Sequence, residues 1–189
     1  DVFDILATSG DITLFWHMGF MAITVGVVFQ GLRQGVEYWS KFMTLALLFL
    51  MVGLCLFSFT LDGFGAAVKF IFSPDFSRFK TSGVLEALGL SFFTLSLGQG
   101  IMLTYGSYMR HTEDIPKTSF IIATMIILVS ILAGLVIFPV IFTFGFEPGS
   151  GPGLVFKTLP VLFAKLPGAL LISTAFFILF VFTALTSSI

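Results

Sequence analysis

The sequence predicts an all-α integral membrane protein in which the third membrane-spanning segment is discontinuous. Two bulk properties predict the class: 57% of the 189 residues are hydrophobic and only 10% are charged, with a mean hydropathy of +1.10. Soluble domains carry about 25% charged residues. Apolar stretches long enough to cross a hydrocarbon core of about 30 Å as helices support the same class.

Five apolar stretches are predicted to span the membrane within one transmembrane unit (residues 1–189). They are residues 12–32, 42–61, 87–109, 118–146 and 166–189. The two long connections, residues 62–86 and 147–165, are predicted to be extracellular, because the shorter connections carry basic residues at higher density. The apolar residues of these loops indicate short helices, which either fold over an external vestibule or rest on lipid headgroups.

Several classes of protein are not indicated. The net charge of −1 gives no reason to expect a nucleic-acid partner. No metal-ligand spacing, phosphate loop or nucleophile–base pair is visible, and no carboxylate falls inside a predicted span. We therefore expect no enzymatic activity. The chain begins without methionine and stops inside an apolar stretch, so we expect it to be a fragment of a longer polypeptide.

The third apolar stretch contains the residues that best predict a binding site. Thr94 and Ser96 precede Gln99, which lies between Gly98 and Gly100. Glycine weakens a helix, and polar, broken backbone at membrane depth is tolerated where it is buried in protein or lines a cavity. Residues 97–100 are therefore predicted to break the helix at a binding site. The alternative is that the glycines only permit close helix packing, but two glycines two residues apart do not share a helix face.

A second candidate is a group of hydroxyls on the last segment: Thr183, Thr186, Ser187 and Ser188. Hydroxyl and carbonyl oxygens can coordinate a small alkali cation, and the first three residues share one face of a helix. The alternative is that these hydroxyls bond the carbonyls of their own helix or a neighbouring helix, and the cluster alone favours this alternative.

Together these stretches resemble the neurotransmitter:sodium symporter family. FFTLSLGQG at residues 92–100, followed by TYGSY at 104–108, is similar to the sixth transmembrane helix of that family. LTSSI at 185–189 is similar to the core of the eighth helix, and GLVFKTLP at 153–160 to the fourth extracellular loop of the bacterial branch. The resemblance covers nearly the whole chain, as helices four to eight of a family built from eleven or twelve.

The resemblance implies a fragment of an inverted-repeat secondary transporter, multi-pass in the plasma (inner) membrane. The implied activity is sodium-coupled symport of an amino acid or related amine. The implied partners are that substrate, the lipid bilayer and the missing helices of the same polypeptide, without which the fragment would be inactive. The implied co-transported ion is Na⁺, with Cl⁻ as a further candidate.

Site residues follow from the same resemblance, position by position. Substrate binding is implied for Phe93, Ser96, Gly98, Gln99 and Ser187. Sodium binding is implied for Thr94 at a first site, and for Thr183 (through its carbonyl), Thr186 and Ser187 at a second. Chloride binding is implied for Thr94 and Ser130.

Some residues depart from the family pattern. Ile126 stands where the family usually offers an oxygen to the first sodium, and isoleucine cannot coordinate a cation. Ser130 favours chloride dependence, whereas Leu90, in place of a glutamine, opposes it. Thr44 stands where relatives often have a proline that lets the fifth helix unwind. Ile126 and Leu90 keep open an alternative function, that of a non-transporting membrane subunit or a degenerate paralogue of a transporter.

Overall fold

The computed structural model describes residues 2–73, 80–109, 114–148 and 151–189, apart from the side chains of Val2, Leu32, Arg33 and Tyr105. Within these residues the regular structure is entirely helical. The α-helices are α1 (Val2–Thr8), α2 (Gly10–Phe29), α3 (Tyr38–Ser58), α4 (Phe64–Phe72), α5 (Thr81–Thr94), α6 (Ile101–Tyr108), α7 (Ile115–Thr143), α8 (Leu159–Phe163) and α9 (Ala169–Ser188). A first π-helix (Leu32–Glu37) precedes α3, and a second (Leu154–Thr158) precedes α8.

Helices of spanning length occur where the sequence predicts continuous apolar segments. Four described helices are long and apolar enough to cross a membrane: Gly10–Phe29, Gln34–Ser58, Ile115–Thr143 and Ala169–Ser188. The third predicted segment is divided, because α5 ends at Thr94 and α6 begins only at Ile101. The predicted all-α membrane fold with a discontinuous third segment is therefore confirmed.

The bounds of the helices follow from local chemistry. α7 begins before the predicted residue 118 because Asp114 Oδ1 accepts the backbone N–H of Lys117 at 3.1 Å, which satisfies one of the free donors of the first turn. The first short connection is mostly helical: after Gly31 (φ 81°) the π-helix leads directly into α3. Lys41 Nζ lies 2.6 Å from Glu37 Oε1, one helical turn earlier, and this ion pair stabilises the start of α3.

The chain forms two compact units, and each is described separately. Unit 1 contains Asp1–Lys69 and Leu132–Ile189, and unit 2 contains Phe70–Ile131. The core of unit 1 lies among α3, the second half of α7, α8 and α9. Leu159 and Phe163 of α8 are almost completely buried in it, and the Phe163 ring meets Phe176 of α9 at 5.0 Å between centroids. This part of the second long loop thus packs on protein.

A close backbone approach also organises unit 1, next to α7. The N–H of Gly63 donates to Thr143 Oγ1 at 2.9 Å. A Cβ at Gly63 would lie 2.4 Å from both the Pro139 carbonyl oxygen and the Thr143 nitrogen, so only glycine fits there without a backbone shift.

Candidate functional site

The break in the third segment begins with a defined turn at the end of α5. The Leu97 N–H donates to the Phe92 carbonyl at 2.8 Å, and the Ser96 N–H donates to the Phe93 carbonyl at 3.0 Å. This pair of bonds defines a Schellman motif, in which the residue at the position of Ser96 adopts a left-handed conformation. Ser96 does so with φ 55°, and no other non-glycine among the described residues has a positive φ.

The same motif at the end of α7 has glycine instead of serine. There the Phe146 N–H donates to the Ile141 carbonyl and the Gly145 N–H to the Phe142 carbonyl, each at 3.1 Å, with φ 69° at Gly145. A left-handed conformation costs an L-residue about 1–2 kcal/mol and costs glycine nothing comparable. The serine at position 96 therefore does not serve the stability of the turn. Strain of this kind points to a functional role.

After this turn the backbone stays irregular as far as α6. Gly98 (φ 79°) and Gly100 (φ 80°) both need the conformational freedom of glycine, and Gly100 is the N-cap of α6. No described atom lies within 4 Å of a Cβ built at either residue. The positive φ at both positions therefore requires glycine, whatever packs against them.

The break leaves backbone groups of both polarities free. Among the described residues, no backbone carbonyl accepts the N–H of Gly98 or Gln99, and no backbone N–H donates to the carbonyls of residues 94–99. The carbonyl end of α5 carries partial negative charge and the N–H end of α6 partial positive charge. The segment can therefore bind a cationic and an anionic group without charged side chains.

The predicted substrate residues at the break lie side by side with accessible side chains. Phe93 is 70% exposed, Gln99 is exposed and Ser96 is half-buried. Thr94, predicted at the first sodium site, donates its hydroxyl proton to the Leu90 carbonyl at 2.8 Å, which leaves the lone pairs of Oγ1 as acceptors. Unit 2 thus holds these side chains together with the free backbone groups.

The predicted second sodium site is organised around one carbonyl of α9. The Thr183 carbonyl oxygen accepts the Thr186 hydroxyl at 2.9 Å and the Ser187 hydroxyl at 3.0 Å. The hydroxyls do bond their own helix, as the structural alternative predicts. These bonds also bring three oxygens together. Because both hydroxyl protons point at the Thr183 carbonyl, the lone pairs of the two hydroxyl oxygens remain available for a cation. Thr183 and Ser187 are exposed on unit 1.

The residues that bear on chloride and on the first sodium site are less organised. Ser130 is exposed on α7, and within the described residues no hydrogen bond joins it to Thr94. Ile126 is half-buried on α7, and Leu90 is exposed on α5. The chloride assignment stays a prediction without geometric support. The described residues also contain no group of three or more His, Cys, Asp or Glu side chains that could hold a metal ion.

Two sets of contacts in unit 1 were not predicted. Thr24 Oγ1 lies 3.3 Å from Ser188 Oγ, and the only indication in the sequence was a hydroxyl in the middle of an apolar helix. The Lys157 ammonium pairs with Asp4 and lies over the Phe3 ring, which stacks on Phe156. The hydrogen bond from Lys157, and then its charge, lower the pKa of the exposed Asp4 carboxyl. No sequence pattern links such distant residues.

Comparison with known proteins identifies the family. The sequence profile described as "Sodium:neurotransmitter symporter family" matches residues 4–189. The chain belongs to this family. It is 44% identical over 176 residues to the "Uncharacterized sodium-dependent transporter YhdH" of Bacillus subtilis (strain 168), covering 93% of this chain and 39% of that protein. It is 34% identical to an "Uncharacterized sodium-dependent transporter" of Haemophilus influenzae (strain ATCC 51907 / DSM 11121 / KW20 / Rd), covering 93% and 38%.

A solved structure agrees with the family assignment. The crystal structure of MhsT in complex with L-phenylalanine superposes with a TM-score of 0.85 at 38% identity, covering 99% of this chain and 43% of MhsT. The resemblance read from the sequence is therefore confirmed, as is a multi-pass membrane fold of the family's secondary transporters. The chain spans about two fifths of the length of the proteins it matches.

Proposed function

We propose that this chain forms part of a symporter in which inward movement of Na⁺ drives uptake of an amino acid or related amine across the plasma (inner) membrane. The family assignment and the names of the two bacterial relatives support sodium dependence. The L-phenylalanine bound to MhsT supports an amino-acid substrate. Sodium entry supplies about 2.3 kcal/mol per charge per 100 mV of membrane potential.

The broken backbone from Ser96 to Gly100, with its free polar groups, is the observation that carries this proposal. A zwitterionic amino acid needs a donor for its carboxylate and an acceptor for its ammonium group. The free N–H groups before α6 suit the carboxylate, and the free carbonyls after α5 suit the ammonium group. Ser96 adds a hydroxyl, while Phe93 and Gln99 contact the substrate side chain.

The α9 oxygens form this chain's share of the second sodium site. The Thr183 carbonyl and the hydroxyls of Thr186 and Ser187 are hard oxygen ligands that bring no formal charge into the membrane. Thr94 contributes to the first site, where Ile126 supplies no oxygen. Thr94 and Ser130 are the candidates for chloride. The other helices of the same polypeptide supply the remaining ligands of each ion and of the substrate.

Uptake into proteoliposomes tests the proposal on the complete polypeptide that carries this chain. A mixture of labelled amino acids is supplied with an inward Na⁺ gradient, and a K⁺ gradient serves as the control. We expect sodium-dependent accumulation that Thr186→Ala combined with Ser187→Ala abolishes. Thr124→Ala is the matched control and should leave uptake intact. Among the described residues, Thr124 Oγ1 bonds only the Phe120 carbonyl of α7, at 2.9 Å.

Two outcomes would contradict the proposal. Accumulation that is the same in Na⁺ and K⁺ would refute sodium coupling. No accumulation of any amino acid by a correctly folded protein would favour the non-transporting subunit or degenerate paralogue, in which the departures at Ile126 and Leu90 have removed transport.

A further inference from the structure

Among the described residues, one polar contact joins α2 to α9, at Ser188. Thr24 is one of two buried polar residues described in the chain, 6% exposed within the apolar helix α2. Its Oγ1 lies 3.3 Å from Ser188 Oγ, across 164 residues of sequence. A hydroxyl buried between membrane helices is kept where it finds a partner, because leaving it unpaired in an apolar environment is costly.

The contact shares two protons among three possible hydrogen bonds. Thr24 Oγ1 can donate to the Phe20 carbonyl at 3.1 Å, and Ser188 Oγ can donate to the Leu185 carbonyl at 3.1 Å. Each hydroxyl has one proton, so the bond between the helices forms only when one hydroxyl leaves the carbonyl of its own helix. Either hydroxyl can be the donor. Without Thr24, Ser188 would return fully to Leu185, and no buried polar group would be left unpaired.

Ser188 directly follows the hydroxyls that the proposed sodium site uses. Thr186 and Ser187 both bond the Thr183 carbonyl, and neither is in hydrogen-bond contact with another helix among the described residues. Within the described chain, the contact of Ser188 with Thr24 is thus the polar link from this turn to a neighbouring helix.

We propose that Thr24 is a positioning residue for the sodium site of α9. By binding Ser188 it sets the orientation of the turn that presents Thr186 and Ser187, although Thr24 itself contacts no ion. This inference rests on the proposed function and adds a residue to which no role has been assigned. It implies a change in sodium affinity when the hydroxyl of residue 24 is removed, with substrate affinity at saturating sodium unchanged.

The size of the effect follows from hydrogen bonds between membrane helices. Measured values average about 0.6 kcal/mol with a maximum of about 1.7 kcal/mol. These values correspond to roughly a threefold to twentyfold rise in the sodium concentration for half-maximal uptake. Thr24→Val removes the bond with little change in side-chain volume, and Thr24→Ser keeps the hydroxyl.

The test measures sodium titrations of uptake in proteoliposomes containing the complete polypeptide. We expect Thr24→Val to raise the half-saturating sodium concentration by about threefold and by no more than about twentyfold. Thr24→Ser should stay near the wild type, and Thr124→Val should change nothing. The half-saturating substrate concentration, measured at saturating sodium, should be the same in all four proteins. In a Ser188→Ala background, Thr24→Val should have no further effect on sodium, since the bond is already absent.

Each alternative result has a separate meaning. An unchanged sodium requirement in Thr24→Val, or a loss of melting temperature and maximal rate alone, would overturn the positioning role and leave the proposed function intact. A defect in Thr24→Val that Thr24→Ser does not restore would also overturn it. Sodium-independent uptake by the wild type would refute the proposed function and this inference together.

Discussion

The two Schellman motifs of the chain allow a reciprocal exchange of residues. The motif that ends α5 places Ser96 at φ 55°, and the motif that ends α7 places Gly145 at φ 69°. No described atom lies within 4 Å of a Cβ built at Gly145. The energetic difference between serine and glycine at these positions is therefore one of backbone conformation.

The expected magnitude is the difference of two terms. A left-handed conformation costs an L-residue about 1–2 kcal/mol. Glycine loses about 0.5–1 kcal/mol more backbone entropy on ordering. Ser96→Gly should therefore stabilise the chain by about 0.5–1 kcal/mol, and Gly145→Ser should destabilise it by a similar amount. For a chain of this size, 1 kcal/mol shifts the melting temperature by about 2–4 °C.

The assay is thermal unfolding of the detergent-solubilised chain, followed by the circular dichroism of its helices, because Trp16 and Trp39 both lie in unit 1 whereas Ser96 lies in unit 2. Ser96→Gly should melt about 1–4 °C above the wild type, and Gly145→Ser should melt below it by a similar interval. In the complete transporter, Ser96→Gly should also weaken substrate binding, since it removes a proposed contact. A lower melting temperature for Ser96→Gly, or no effect of Gly145→Ser, would show that these turns are not left-handed as described.

Two further predictions concern contacts within unit 1. Gly63→Ala should lower the melting temperature more than Thr143→Val, because the alanine Cβ would lie 2.4 Å from backbone atoms of Pro139 and Thr143. The valine removes the acceptor of the Gly63 N–H, a loss of about 1–3 kcal/mol, and the hydroxyl that donates to the Pro139 carbonyl, but it forces no backbone shift. Equal melting temperatures would contradict the close approach. Lys157 lowers the pKa of Asp4 in the folded state below the ordinary carboxyl pKa of 3.8. The pair therefore stabilises the fold at a pH above 3.8, and this stabilisation is lost as the pH falls through the lower pKa of the folded state. Hydrogen exchange of α1, corrected for intrinsic rates, should therefore speed up below that pH, and Asp4→Asn should show fast exchange at every pH; wild-type protection that does not vary with pH would refute the coupling.

Several features followed from the sequence because local rules determine them. A 10% charged composition and long apolar stretches require membrane helices, since backbone groups in lipid must be paired within the segment. The run of polar residues and glycines from Thr94 to Gly100 located the break, because glycine permits the positive φ angles that a helix excludes. The family resemblance of these stretches to known symporters is confirmed by the comparisons. The assignments of individual ligands stay predictions.

Other features depended on the tertiary structure. The sequence located the break at residues 97–100, but the left-handed turn already begins at Ser96, a residue type that does not favour it. The contact between Thr24 and Ser188 joins residues that are 164 apart in the sequence. The apolar residues of the second long loop were compatible with packing on protein or on lipid, and the buried side chains of α8 show that this part of the loop packs on protein. Lipid tails are as apolar as the side chains that pack in the core, so an apolar pattern shows which segments enter the membrane but not which helices meet. Only the packed helices determine those pairings.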